Sequence, residues 1–288
     1  MLEILPKTKS KKLLVVEKII KQTVWPQSSK IGVLVGNKKY FMLNEKEIFD
    51  WKYKGYFVKN ILSQTDVDEI NNELNNLRTE RNKKDSSWGE YGIYSHPHKE
   101  SELILKYFGH PKLVEILEAI LNNKIEGIQS QAYFKPPGEM GRDAHQDGFY
   151  TESGWGNSIN VIFCLDDTDR SNGCIWSYES SHFLPMLPIE IDEERIKTNP
   201  TFWKNERGKG CVMPQNHNFT KTYHECKYGD VLFTHDYLVH GSEDNNSENY
   251  RRSIVMSYKT IGSNLRQGGQ MKREPFDVYE IRKKYWNL

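Results

Sequence analysis

The sequence predicts a mainly β fold, a β-sandwich or jelly roll with helices packed on one side. Three features carry that expectation. The first third of the chain after its N-terminal stretch is helical in pattern, with apolar residues three and four apart. After Asn122 the pattern changes to short alternating stretches separated by turn residues. Residues 183–228 then make a long break between such stretches, of the kind that becomes an active-site lid or a binding loop.

In chain order, residues 1–44 read as an N-terminal extension and 45–288 as the principal domain, with 183–228 as a lid-like insertion. Ile31 to Val35 and Tyr40 to Leu43 are β-rich around Gly36-Asn37, which predicts a short hairpin. Tyr56-Phe57-Val58 and Ile61-Leu62 predict a strand. Ser63 or Thr65 is placed to cap a helix carrying Val67, Ile70, Leu74 and Leu77 on one face. Pro111 suits the first turn of a second helix, with Leu113, Leu117, Ile120 and Leu121 on one side. Residues 127–135 alternate, so Gln129, Gln131, Tyr133 and Lys135 share one face and Ile128, Ser130, Ala132 and Phe134 the other. Pro136-Pro137-Gly138 ends that strand. Residues 159–165 alternate likewise, with Ile159, Val161, Phe163 and Leu165 opposite Asn160, Ile162 and Cys164. Further strands are expected at 174–178, 230–234 and 253–260. There is no internal repeat.

Composition narrows the function classes. The 288 residues carry 40 Lys+Arg and 39 Asp+Glu, a formal net charge of +1. A nucleic-acid binder that works by phosphate neutralisation would show a basic excess. No stretch approaches the ~20 apolar residues of a membrane helix. Met1 to Gln22 is basic, but Glu17 and Lys18 split its apolar runs, so no signal-peptide core is read there. The four cysteines form no CxxC pair and read as free thiols in a reducing cytoplasm. The expected partner is a small-molecule substrate, with neither nucleic acid nor membrane, and the oligomeric state is left open.

The residues that point to chemistry begin with His145-Gln146-Asp147. On an extended backbone, residues i and i+2 point the same way, so an imidazole and a carboxylate can reach one divalent metal ion such as Fe(II). Read alone, the motif fits a surface turn better than a metal site. His240, in His240-Gly241-Ser242, would complete two histidines and one carboxylate on one face of an octahedron. Three positions then stay open, enough for a bidentate 2-oxo acid and for O2. Arg251 opens an expected strand, and its guanidinium suits the far carboxylate of 2-oxoglutarate. Ser253 shares its face.

Five ordered pieces make the sequence resemble the phytanoyl-CoA dioxygenase family of Fe(II)/2-oxoglutarate oxygenases, which includes ectoine hydroxylase. They are Gln129-Ser130-Gln131 with Lys135-Pro136-Pro137-Gly138; His145-Gln146-Asp147; Leu165-Asp166-Asp167 with Asn172-Gly173-Cys174; Ser180-Ser181-His182; and the segment from His240 to Arg251. The resemblance spans roughly Phe49 to Thr260 and implies a double-stranded β-helix, the cupin-like jelly roll. It implies Fe(II), 2-oxoglutarate as co-substrate and O2, with the metal on His145, Asp147 and His240. It implies that Arg251, helped by Ser242, binds the C5 carboxylate, and that Gln131 and Gln129 face the co-substrate. Many relatives carry Trp where this chain has Ile162, so Asn160 on the same face is expected to supply a polar contact instead. Related halogenases have a small residue in place of the carboxylate ligand, and Asp147 therefore implies hydroxylation or a related oxidation without halogen transfer.

Other residues read as follows. Phe149, Tyr150 and Trp155 follow the His-Gln-Asp motif and read equally as loop packing or as the substrate wall. His182 and His235 read as structural, His217 and His224 as exposed or substrate-side, and Arg252 as surface or packing, facing away from Arg251. The insertion holds seven basic and six acidic residues, which makes no polyanion cradle for a CoA thioester. The expected reaction is hydroxylation of a C–H bond of a small polar metabolite, with release of succinate and CO2. Two alternatives stand beside it. One is a jelly-roll isomerase or hydrolase that does not use 2-oxoglutarate, against which Arg251 argues because a buried guanidinium needs an anion. The other is a non-catalytic, metal-stabilised binding domain, against which an open-sided metal triad argues.

Overall fold

A computed structural model of the chain describes residues 42–84, 93–191, 193, 209–268 and 272–288. Most of the expected hairpin over 31–43, and all but the last three residues of the 1–44 extension, lie outside the described residues.

Asn44 caps the first described helix. Its side chain accepts from the Glu47 amide while the Glu47 carboxylate accepts from the Asn44 amide, a capping box that starts helix α1 (Glu45–Lys54). Gly55 ends it with a left-handed φ of 86°, and a Cβ there would lie 2.5 Å from the His182 ring. Strand β1 (Tyr56–Asn60) follows. Ser63 and Asp66 then exchange side-chain and backbone bonds at the start of α2 (Gln64–Lys84), so Ser63 is the cap. After β2 (Ile93–Ser95) come α3 (Glu102–Phe108), capped by Ser101, and α4 (Pro111–Leu121) with proline in its first turn. The remaining elements are β3 (Ile125–Lys135), the one-turn α5 (Gly148–Thr151), β4 (Ser158–Cys164), β5 (Ile175–Tyr178), β6 (Ile189–Ile191), β7 (Lys209–Cys211), β8 (Lys221–His224), β9 (Asp230–His235), β10 (His240–Ser242), β11 (Arg251–Thr260) and α6 (Val278–Trp286).

The strands form a jelly roll. The larger sheet runs β1-β9-β4-β11-β3-β2 and the smaller β10-β5-β8, every neighbouring pair antiparallel; β6 and β7 pair separately. Alternation divides the larger sheet into two faces. Phe134, Val161, Phe163, Phe233, Ile254 and Met256 point to the helices, where they bury against Val67, Ile70, Leu74, Tyr107 and Leu113. Each such side chain contributes about 1.5–3 kcal/mol by leaving water. Gln129, Gln131, Asn160, Ile162, Ser253 and Val255 point the other way, toward the smaller sheet, and line a cavity.

Inside the 183–228 segment, β8 is an integral strand: Lys221–His224 pairs with β5 through the register Ile175↔His224 and Ser177↔Thr222. His224 is therefore neither exposed nor substrate-side. It is buried, 2.9 Å from the Ser177 hydroxyl and edge-on to the Tyr56 ring, and burial holds its pKa down at about 3. His217 is half-buried with its ring edge-on to Tyr178. His182 lies under Gly55, and His235 packs on Trp51 and Trp155. Arg252 forks onto Asp166, as a residue facing away from Arg251 should. All four cysteines are free thiols. No described helix is long and apolar enough to cross a membrane.

Phe57 and Phe233 stack 4.4 Å apart with their planes 5° from parallel, joining the β1 edge to the sheet. Both are buried. Phe233→Ala is expected to cost about 3–5 kcal/mol through lost burial and the cavity left behind. A urea midpoint within error of the wild type would show that the pair does not anchor β1.

Candidate metal centre

The backbone builds the site before any side chain does. The His145 amide donates to the His240 carbonyl at 2.9 Å, and the His240 amide returns the bond at 3.0 Å. Residues paired in this way across antiparallel chains present their side chains on the same face, and the two imidazole centroids lie 4.2 Å apart. Each Nδ1 sits within hydrogen-bond distance of a carbonyl two residues earlier, Asp143 O at 2.8 Å and Leu238 O at 2.9 Å. A carbonyl only accepts, so each Nδ1 carries the proton and each Nε2 keeps its lone pair. Those Nε2 atoms lie 3.5 Å and 3.3 Å from the two oxygens of Asp147. One donor atom from each residue falls within 4.8 Å of the others. Burial, with Arg142 and His240 adding to it, pushes the His145 pKa well below the usual imidazole value and keeps the ring neutral.

Asp147 reaches this point by a route other than strand alternation. Its backbone is helical, φ −65° and ψ −28°, because the chain turns into α5 there. The turn, not an extended i, i+2 pair, brings the carboxylate under the imidazoles. Gln146 between them faces away. It is 1 % exposed; its amide nitrogen donates to Tyr237 O at 2.9 Å and Pro185 O at 3.2 Å, and its oxygen accepts from Leu187 N at 2.8 Å.

Asn160 has a partner that the sequence did not suggest. It lines the cavity, but its Nδ2 donates to Asp147 Oδ2 at 2.6 Å, so its polar contact is with the carboxylate. A relay stands behind it. Arg273 Nε donates to Gln129 Oε1 at 2.8 Å, Gln129 Nε2 donates to Ser257 Oγ at 3.3 Å, and Ser257 Oγ donates to Asn160 Oδ1. Every donor in the series points toward Asp147. Gln129 is thus tied to Arg273 and Ser257, while Gln131 lines the wall with its Oε1 accepting from Tyr133. Ser257 and Arg273 carry no motif; only the face shared by Arg251, Ser253 and Ser257 hints at the first.

Arg251 lies at the end of the cavity beyond the triad. It is 5 % exposed, its NH1 donates to Ser253 Oγ at 3.1 Å, and its Nε has no partner among the described residues. Burial lowers its pKa. Ser242 lies on the same wall, its hydroxyl accepting from Lys135 Nζ and from the Arg142 amide. Ile162, Ile175 and Val255 line the cavity, whose volume is about 210 Å³.

Of the three aromatic residues after the motif, Tyr150 alone lines the cavity. Phe149 stands edge-on to it on the outer side of the α5 turn, beside Arg266. Trp155 is carried outward by the turns at Glu152 and Gly154, both with positive φ; it is 42 % exposed and its indole donates to His182 O. Neither lines this cavity.

Comparison with known proteins agrees with this geometry. The phytanoyl-CoA dioxygenase (PhyH) family profile matches residues 52–253. Peroxisomal phytanoyl-CoA dioxygenase of Bos taurus is 23 % identical over 197 residues, covering 65 % of this chain and 56 % of its own. The chain spans about half the length of the curated relatives it matches. Among solved structures, EctD from S. alaskensis with 2-oxoglutarate and 5-hydroxyectoine has a TM-score of 0.61 at 17 % identity, covering 78 % of this chain and 79 % of its own. The non-heme alpha ketoglutarate dependent carbocyclase SnoK from nogalamycin biosynthesis has a TM-score of 0.62 at 16 % identity, covering 82 % and 94 %.

Asn160→Leu removes the donor to Asp147 while roughly keeping volume. It is expected to weaken Co(II) or Mn(II) binding about 10–100-fold, the usual effect of losing such a support. Titration followed by Co(II) absorbance would check it; unchanged affinity would mean that Asp147 needs no help from the relay.

Proposed function

The chain belongs to the phytanoyl-CoA dioxygenase family, and from that premise we propose that it is an Fe(II)- and 2-oxoglutarate-dependent oxygenase that hydroxylates a C–H bond of a small polar metabolite. The observation that carries this reading is the pairing of two Nε2 lone pairs and one carboxylate with a buried arginine that has no carboxylate within ion-pair distance among the described residues. The donor set fits a divalent iron, with two neutral imidazoles and one carboxylate and an open side toward the cavity. The orphaned Arg251 Nε fits a carboxylate arriving from that side.

His145, Asp147 and His240 would hold the metal. Bound there with 2-oxoglutarate, it supplies the oxidising chemistry that consumes O2 and releases succinate and CO2. The chain's own residues do the rest. The carbonyls of Asp143 and Leu238 keep both imidazoles in the tautomer that leaves Nε2 free to bind. Asn160 keeps Asp147 turned toward them. Arg251 and Ser242 would take the far carboxylate of 2-oxoglutarate, and Ile162 and Val255 exclude water along its methylenes. Gln131, Tyr133, Tyr150 and Thr151 add polar groups to the wall, which supports a polar substrate. Free cysteines support a reducing compartment such as the cytoplasm.

The direct test is anaerobic addition of Fe(II) and 2-oxoglutarate. A new visible charge-transfer band is expected, and its absence from folded, metal-loaded protein would overturn the reading. Arg251→Lys keeps the charge but loses the planar fork. It should raise the 2-oxoglutarate concentration at half-saturation by about 10–100-fold, since ~1.4 kcal/mol is one decade. Arg252→Ala, which loses only Asp166, should leave that value unchanged. With chloride present no chlorinated product is expected, because Asp147 takes the place a halide would need.

A further inference from the structure

We propose that the substrate carries an oxyanion, a carboxylate or a phosphate, and that Arg142 and Tyr150 receive it. The inference rests on the oxygenase reading above and names the class of molecule that the cavity takes beside 2-oxoglutarate.

Arg142 is held in place by its backbone. Its amide donates to Ser242 Oγ at 3.0 Å, and the Ser242 amide donates to the Arg142 carbonyl at 3.0 Å. The crossing is tight enough to need glycine on both chains. A Cβ on Gly141 would fall 1.9 Å from Ser242 O, and one on Gly241 2.6 Å from Arg142 O. The side chain enters the cavity three residues ahead of His145, with its guanidinium 5.4 Å from the centre of the Tyr150 ring. Arg81, Arg252, Arg266 and Arg282 each have a carboxylate within ion-pair distance. Among the described residues Arg142 has none. The carboxylate whose charge it feels is Asp147, which the metal would claim. The Tyr150 hydroxyl beside it is buried and faces the Arg142 guanidinium; a guanidinium can only donate, so the phenol proton stays free for an acceptor.

The balance of charge points the same way. Among the described residues, the guanidinium groups of Arg142 and Arg251 line the cavity with one carboxylate, Asp147. Lys135 and Glu139, near Arg251, are of opposite sign. A divalent cation and dianionic 2-oxoglutarate cancel each other, so binding them leaves the positive excess as it was. A desolvated guanidinium without an anion is costly, and its planar fork matches an oxyanion. The hydroxyl of Tyr150 adds a third donor at the same point.

The test uses full-length protein loaded with Mn(II), which does not turn over, and saturating 2-oxoglutarate. Benzoate and phenyl phosphate are titrated by calorimetry against benzamide and phenol, the ring being chosen for the flanking Tyr133 and Tyr150. The anions are expected to bind at least about ten-fold more tightly than their neutral counterparts, a decade being ~1.4 kcal/mol. Arg142→Gln should erase the difference, and Arg142→Lys should retain part of it. Equal binding of charged and neutral probes would overturn the proposal. So would anions that bind only by displacing 2-oxoglutarate, or an Arg142→Gln protein that loses 2-oxoglutarate itself, since the guanidinium would then serve the co-substrate. Failure of the wild type to bind 2-oxoglutarate would instead overturn the oxygenase reading.

Discussion

Everything at this site depends on one reciprocal pair of backbone hydrogen bonds, between His145 and His240. The two residues are far apart in sequence, and nothing in their side chains would draw two neutral imidazoles together. The backbone does it, by letting the segment before α5 pair with β10 as if it were one more strand of the smaller sheet. Once that pairing exists, same-face projection follows and each Nδ1 finds a carbonyl two residues back. The glycines at 141 and 241 extend the same contact, so it works at van der Waals closeness over several residues. The arrangement is preorganised in the sense that matters for a metal: the ligands are oriented by bonds formed during folding.

The larger sheet adds a second constraint. Strand alternation gives one face to the helices and the other to the cavity, so stability and chemistry use interleaved residues of the same strands. On β11, Ile254 and Met256 are core while Arg251, Ser253 and Ser257 serve the cavity. On β4, Val161 and Phe163 are core while Asn160 and Ile162 face inward. A slip of one residue in either strand would exchange a guanidinium or an amide for an aliphatic side chain. The hydrophobic face therefore sets the register on which the polar face relies.

Where alternation governs, the sequence was legible. The faces of β3, β4 and β11 and the opposed directions of Arg251 and Arg252 follow from a period of two, while the grouping of His145, Asp147 and His240 follows from the resemblance. It was less legible where turns or distant pairings decide. Asp147 sits in a helical turn, Trp155 is swung outward by positive-φ residues, and Asn160 meets the carboxylate only because α5 folds back over β4. β8 is a short polar stretch, and only its pairing with β5 makes it a strand of the jelly roll. Helices α1, α3 and α6 were missed although each carries a cap in plain view, Asn44, Ser101 and Asp277. Gln146 and Arg273 had no motif to mark them, because the bonds that tie them to the site, Gln146 to Pro185 and Arg273 to Gln129, span 39 and 144 residues.

Gln146 has a mechanical consequence. It lies between two proposed metal ligands, yet its amide is bonded to Pro185, Leu187 and Tyr237. Pro185 and Leu187 begin the segment that leaves the jelly roll, and Tyr237 precedes His240 by one turn of chain. The metal-binding segment, the base of the excursion and the approach to β10 are thus pinned by one side chain. Removing that amide would release all three contacts at once, so residue 146, the base of the excursion and the approach to β10 share one fastening.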